Sequence, residues 1–240
     1  FASGSISSLP RYWWWGGDRL TAVHKVQDNF FTFSASPTGD QLIVRRYEGD
    51  KGTFEIGSGG RKLDKLAVSG SLEAKDWTVP VGGEVVAGSP KPERQCDLPV
   101  GDYRPNYLTV QFGRLSIAMS QNYHSDGKPL NRGGQPPVYG IKIRKGEPFV
   151  MDFSNKPAVM FASPAKAQRV KVGDPLEVKA VLVDPKLDIM NRGLEDTTRQ
   201  QTEAADGKPL GYTRNLSLDP KVIITRTNGE KVAEGVMPFG

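Results

Sequence analysis

Alternation with period two around a tight turn constrains this chain more than any other feature. Arg169-Val170-Lys171-Val172-Gly173-Asp174-Pro175-Leu176-Glu177-Val178-Lys179-Ala180-Val181-Leu182-Val183-Asp184-Pro185 alternates around a Gly-Asp-Pro turn. Successive side chains of a β-strand point to opposite faces, so the pattern fits strands with one buried and one wet face. Downstream, Asp219-Pro220-Lys221-Val222-Ile223-Ile224-Thr225-Arg226-Thr227-Asn228-Gly229-Glu230-Lys231-Val232-Ala233 reads as a strand, an Asn-Gly turn and a returning strand. Asn-Gly accepts the positive φ angles that tight hairpin turns demand. Together the two segments predict parts of one antiparallel β-sandwich module of about 100 residues.

The same rhythm runs through the earlier chain. Asn29–Ala35, Gln41–Tyr47 and Gly52–Ile56 read as strands, separated by Pro37-Thr38-Gly39-Asp40 and Glu48-Gly49-Asp50-Lys51, both good turn chemistry. Leu66–Leu72, Trp77–Val79 and Glu84–Val86 continue the series, and no amphipathic helix precedes residue 185. A chain of 240 residues holds one large or two ordinary domains. The expected fold is all-β, with two β-sandwich domains at 1–157 and 158–240 and at most one short helix after residue 185. The Pro-rich stretch 88–98 marks a possible internal boundary of the first domain.

Beyond that stretch, Leu98-Pro99-Val100-Gly101-Asp102-Tyr103 leads into Tyr107-Leu108-Thr109-Val110-Gln111-Phe112. Leu-Pro-x-Gly-x-Tyr ahead of a strand resembles the signature of prealbumin-like sandwich modules, as in carboxypeptidase-regulatory and collagen-adhesin B-type repeats. The resemblance covers Leu98 to Tyr103. It implies that Gly101 makes a turn and that Tyr103 packs back onto the sheet. The C-terminal alternation is similar, at the level of architecture, to immunoglobulin-like units of bacterial extracellular proteins.

There is also an internal echo. Val100-Gly101-Asp102, Asp126-Gly127-Lys128-Pro129-Leu130 and Ile141–Glu147 recur in order as Val172-Gly173-Asp174, Asp206-Gly207-Lys208-Pro209-Leu210 and Ile224–Glu230. A tandem of related units would produce it; so would independent use of common turn peptides. Residues 185–205 break the pattern. Asp184-Pro185 suits a helix N-cap and first turn, and Leu187, Met190 and Leu194 sit at helical spacing. The segment reads as a strand edge or short helix followed by a long polar excursion.

Few catalytic chemistries find support in these residues. The only histidines are His24 and His124; His124-Ser125-Asp126 offers two ligands, but no third good ligand lies at a metal-binding spacing. Calcium stays open, with Asp126 and Asn131 or Asp184 and Asp188 as oxygen ligands. Gly57-Ser58-Gly59-Gly60-Arg61-Lys62-Leu63 lacks the spacing and final Ser/Thr of a phosphate loop, and no nucleophile elbow occurs. A lone Cys96 makes neither an intrachain disulfide nor a cysteine zinc site. No catalytic residues, metal ligands or cofactor are assigned.

The net charge of +5 comes from scattered residues, the densest being Arg45-Arg46, Arg61-Lys62 and Lys142-Ile143-Arg144-Lys145. Aromatic residues are not interleaved with these clusters, so nucleic acid is not an expected partner. No window approaches the ~20 apolar residues of a membrane helix. A start at Phe1 fits a processed piece and a secreted or cell-envelope (periplasmic or extracellular) setting. Tyr12, Trp13, Trp14 and Trp15 form the expected ligand or partner surface. In an extended strand Trp13 and Trp15 face one side and Tyr12 and Trp14 the other, and only one side can enter a core. The expected role is a non-catalytic binding, adhesion, assembly or scaffold module with a protein or glycan partner. Homo-oligomerisation stays open, and the alternative is an accessory domain pair of a larger secreted carbohydrate-active or proteolytic enzyme.

Overall fold

A computed structural model describes residues 23–26, 29–75, 77–83, 85–86, 89–122, 139–152, 158–164, 167, 169–171, 174–184, 189–203 and 207–239. Among these residues there is no helix, and the fold is all-β. The first strands are β1 (Val23–Val26), β2 (Asn29–Ala35), β3 (Leu42–Arg46), β4 (Lys51–Gly57), β5 (Leu66–Glu73) and β6 (Thr78–Val81). Then come β7 (Val85–Val86), β8 (Ser89–Pro90), β9 (Gln95–Pro99), β10 (Gly101–Phe112), β11 (Leu115–Asn122), β12 (Ile141–Ile143) and β13 (Phe149–Asp152). The remaining strands are β14 (Ala158–Ser163), β15 (Lys179–Asp184), β16 (Ile189–Glu203), β17 (Pro209–Ser217), β18 (Lys221–Thr225) and β19 (Lys231–Val236).

Nine of these strands form one sheet, in the order β14-β15-β16-β11-β10-β5-β6, with β12 added to β10 and β17 to β16. Directly opposed residues share a face. Val68 opposes Val110, Val110 opposes Ile117, and Ile117 opposes Leu194, which lays one apolar row across four strands. Against this side packs a three-stranded sheet, β13-β4-β9. Its central strand β4 buries Gly52, Phe54 and Ile56 while Thr53 and Glu55 stay partly exposed, the period-two signature of a half-buried strand. Phe54, Ile56, Leu98, Leu108, Met119 and Ile143 belong to one fully buried cluster. Each such side chain contributes about 1.5–3 kcal/mol by leaving water. β13 runs parallel to β4, and Phe149 stacks on Phe54 with ring centroids 5.8 Å apart.

The turn into β10 is built on Tyr103. Its side chain is fully buried, and its hydroxyl donates to the Pro99 carbonyl at 2.8 Å. A Cβ on Gly101 would come within 3.2 Å of the Tyr103 ring, so glycine gives that ring its room. Arg144 holds the outside of the turn, donating to the carbonyls of Gly101 and Ile143 and to the Asp102 carboxylate at 2.5 Å. A second close approach lies at Gly70. Its φ is +137°, and a Cβ there would stand 2.1 Å from the Tyr107 carbonyl oxygen, beside the irregularity between Pro105 and Tyr107.

The C-terminal part differs from the sequence expectation in three respects. Of the strand edge and the short helix left open for residues 185–205, Met190 and Leu194 take the strand, but the polar run beyond them is not a loop and continues as that same fifteen-residue strand, β16. Its second half needs no apolar stripe because antiparallel pairing with β17 engages its backbone whatever the side chains. Arg169–Lys171 and Asp174–Val178 are not in strands. The Asp174 amide donates to the Lys171 carbonyl, and the Lys171 amide to the Asp174 carboxylate, each at 3.1 Å. The alternating run that follows supplies β15, which pairs with β14 and β16 and not with the 219–233 segment. That segment forms the hairpin its Asn-Gly predicts, with Gly229 at φ 85°, and β18 and β19 make a two-stranded sheet of their own. Pairing of β11 with β16 means that strands from both sides of residues 157 and 158 share one sheet.

Candidate interaction surface

Every open sheet has two edge strands, and an edge presents unpaired backbone N–H and C=O groups to any strand that fits. Most edges here carry features that discourage such pairing. β6 contains Pro80 and is approached by β1, where the Lys25 ammonium donates to the Gly82 carbonyl at 2.9 Å. β3 carries Arg45 and Arg46, and the Arg46 guanidinium donates to Asn29 at 2.9 Å. β19 carries Lys231 and Glu234, 3.1 Å apart as an ion pair.

β14, at the far end of the nine-stranded sheet, has none of these devices. Its sequence Ala-Val-Met-Phe-Ala-Ser holds no charge and no proline. On one face Ala158 and Met160 oppose Val183 and Val181 and pack against the small cluster of Val183 and Met190. On the other face Val159 and Phe161 oppose Leu182 and Ala180, yet remain 61% and 55% exposed. By cross-strand register this second face continues the side of the sheet that carries Met119 and Leu108 in the main core. The β13-β4-β9 sheet covers that side over β5, β10 and β11. Among the described residues, nothing covers Val159 and Phe161 to the same degree. The arrangement offers a partner an apolar strip beside an uncharged backbone edge. It did not stand out in the sequence; a six-residue β-prone run without charge or proline was the available signal.

Tyr12, Trp13, Trp14 and Trp15, the surface expected from sequence, lie outside the described residues, as do His124, Ser125, Asp126, Asn131 and Asp188. His24 sits on β1 with its ring edge-on to Phe33, centroids 4.4 Å apart. Asp184 is buried at the end of β15. Cys96 is buried on β9, where its Sγ accepts the Gly82 amide at 3.4 Å; burial pushes the thiol pKa up, away from the thiolate a nucleophile needs. The Gly57–Leu63 segment is a strand end and a loop, with the Arg61 guanidinium 5.6 Å from the centre of the Phe112 ring. Among the described residues, no three His, Cys, Asp or Glu side chains are grouped to hold a metal ion. No helix among them is long and apolar enough to cross a membrane.

Comparison with family models, with curated proteins and with solved structures gives no match.

Proposed function

We propose that this chain is a non-catalytic β-sandwich protein that binds or assembles with a protein partner, and that the partner adds a strand along β14. The observation that carries the reading is the pairing of an uncharged, proline-free edge with the exposed side chains of Val159 and Phe161. In β-strand addition, main-chain hydrogen bonds supply affinity, and pockets for alternate side chains supply specificity. Packing of the large sheet on β13-β4-β9 supports a sandwich architecture for the first part of the chain. The Leu98–Tyr103 resemblance supports placing the protein among secreted or cell-envelope modules.

A displayed library of extended peptides, panned against the whole protein, tests this reading. Selected peptides should slow hydrogen exchange of the β14 amides. They should lose binding to the Val159→Lys/Phe161→Lys double variant, whose new charges stand on the exposed face. Selected peptides that protect another region, or that bind the double variant unchanged, overturn it.

A further inference from the structure

The opposite face of the large sheet carries a second feature. β10 presents Tyr107, Thr109 and Gln111 on one side, and Thr109 opposes Ser69 on β5. Beside Thr109 and Gln111 runs a trough of about 310 Å³, lined also by Lys65, Ser69 and Pro92, and Tyr107 stands next along the same face, just beyond that lining. That volume is at the low end of ligand sites, roughly 300–1,000 Å³. Pro92 forms one bank because Val68 and Glu93 exchange backbone hydrogen bonds of 2.7 and 3.1 Å, drawing residues 91–94 alongside β5.

The polar groups here are already oriented. The Gln111 amide nitrogen donates to the Gly113 carbonyl at 2.7 Å and to the Thr197 hydroxyl at 3.4 Å, which fixes the side chain and leaves its carbonyl oxygen to accept. Tyr107 leans along the strand with its hydroxyl 3.4 Å from the Thr109 hydroxyl, and the residue is 51% exposed. The Ser69 hydroxyl and the Lys65 ammonium have no hydrogen-bond or ion-pair partner among the described residues. From Tyr107 to Gln111 the strand advances about 14 Å.

We propose that this trough binds a short oligosaccharide laid along β10, with an acidic sugar at its Lys65 end. A pyranose has a face of C–H groups that packs on an aromatic ring and a rim of hydroxyls that need hydrogen-bond partners in register. Tyr107, beyond the end of the trough away from Lys65, supplies the ring, and Thr109, Ser69 and the Gln111 carbonyl supply the partners. Lys65 supplies a cation for a ring carboxylate. The site is separate from β14 and does not depend on strand addition there.

Calorimetric titration of the whole protein with a uronate oligosaccharide, a neutral glucan oligosaccharide and a single-stranded DNA of matched charge tests the assignment. The uronate should bind most tightly. Tyr107→Ala should weaken it by about tenfold or more, equivalent to losing one good stacking contact. Tyr107→Phe keeps the ring and should retain binding, which separates stacking from loss of fold. Lys65→Ala should bring the uronate down to the neutral glucan, and Val159→Lys/Phe161→Lys should leave all three titrations unchanged. Absence of binding to either oligosaccharide, tighter binding of the DNA, or uronate binding that survives Tyr107→Ala overturns the proposal.

Discussion

The hydroxyl of Tyr103 reaches back to the carbonyl of Pro99 at 2.8 Å, closing the turn that starts β10. Both residues are buried, so each would lose its hydrogen-bond partner without gaining water.

Tyr103→Phe keeps the ring and deletes the bond, leaving the Pro99 carbonyl unsatisfied. The expected loss is about 1–2 kcal/mol, read from urea unfolding midpoints. The same residue shapes the alkaline limb of stability. Burial raises its phenol pKa above the ordinary value near 10. The contribution is therefore fully present below about pH 10 and falls as pH rises beyond it, because the unfolded phenol ionises first. The Phe variant should show a shallower alkaline decline than the parent; an identical decline would remove Tyr103 as its source.

Gly70→Ala forces a Cβ to 2.1 Å from the Tyr107 carbonyl oxygen at a φ of +137°. Neither β5 nor β10 can yield without breaking the central pairing, so a loss of roughly 3 kcal/mol or more is expected. Gly39→Ala is the control: φ is +74° and no atom lies within 4 Å of the new Cβ. It should cost only about 1–2 kcal/mol, the left-handed backbone penalty. Thermal unfolding of both variants separates close approach from backbone conformation.

Asp196 accepts from the Thr198 hydroxyl at 2.6 Å and from the Thr198 amide at 3.0 Å. These bonds hold its carboxyl below the usual carboxylate range, with Arg114 adding a smaller pull in the same direction. A lowered folded-state pKa gives stability that is present above about pH 4 and lost as pH falls through the folded value. Asp196→Asn should lower the melting temperature at neutral pH and narrow its gap to the parent in acid. A gap that stays constant to low pH would show that the charge is not what matters.

Cys96 should resist alkylation in the native protein and react promptly in denaturant, since its thiol is buried and its ionisation suppressed. Mass spectrometry after timed exposure to iodoacetamide reads this directly. Rapid labelling under native conditions would place the thiol in contact with solvent and contradict the packing of β9.

Local signals were the legible part of this fold. Asn228-Gly229 announced the β18–β19 hairpin, and Phe30, Thr53 and Val68 each sat inside runs that became strands. Such segments declare themselves through turn chemistry and side-chain period. Long-range pairing was not legible in the same way. Nothing in Phe149–Asp152 announces a parallel partner, and it lies beside β4 because the shared core and their opposed backbones bring them together. Leu187, Met190 and Leu194 left a strand edge and a short helix both open, because apolar residues at that spacing fit a helix face; Met190 and Leu194 lie on β16, on opposite faces, because the register shifts between them. The trough was hidden for a related reason. Tyr107, Thr109 and Gln111 alternate visibly, but Ser69 and Pro92 join them only through sheet register. The aromatic run Tyr12–Trp15 was the loudest sequence signal for a surface, and it lies outside the described residues.

The union of β11 with β16 also carries a consequence for synthesis. Residue 122 completes β11, but its neighbour on that side does not begin until Ile189. At about 5–20 residues per second, a ribosome takes several seconds to deliver it. Throughout that interval the nascent sheet ends in Leu115, Ile117 and Met119 with an open backbone ladder. Slowing translation in this window lengthens the exposure and should lower the yield of soluble chain.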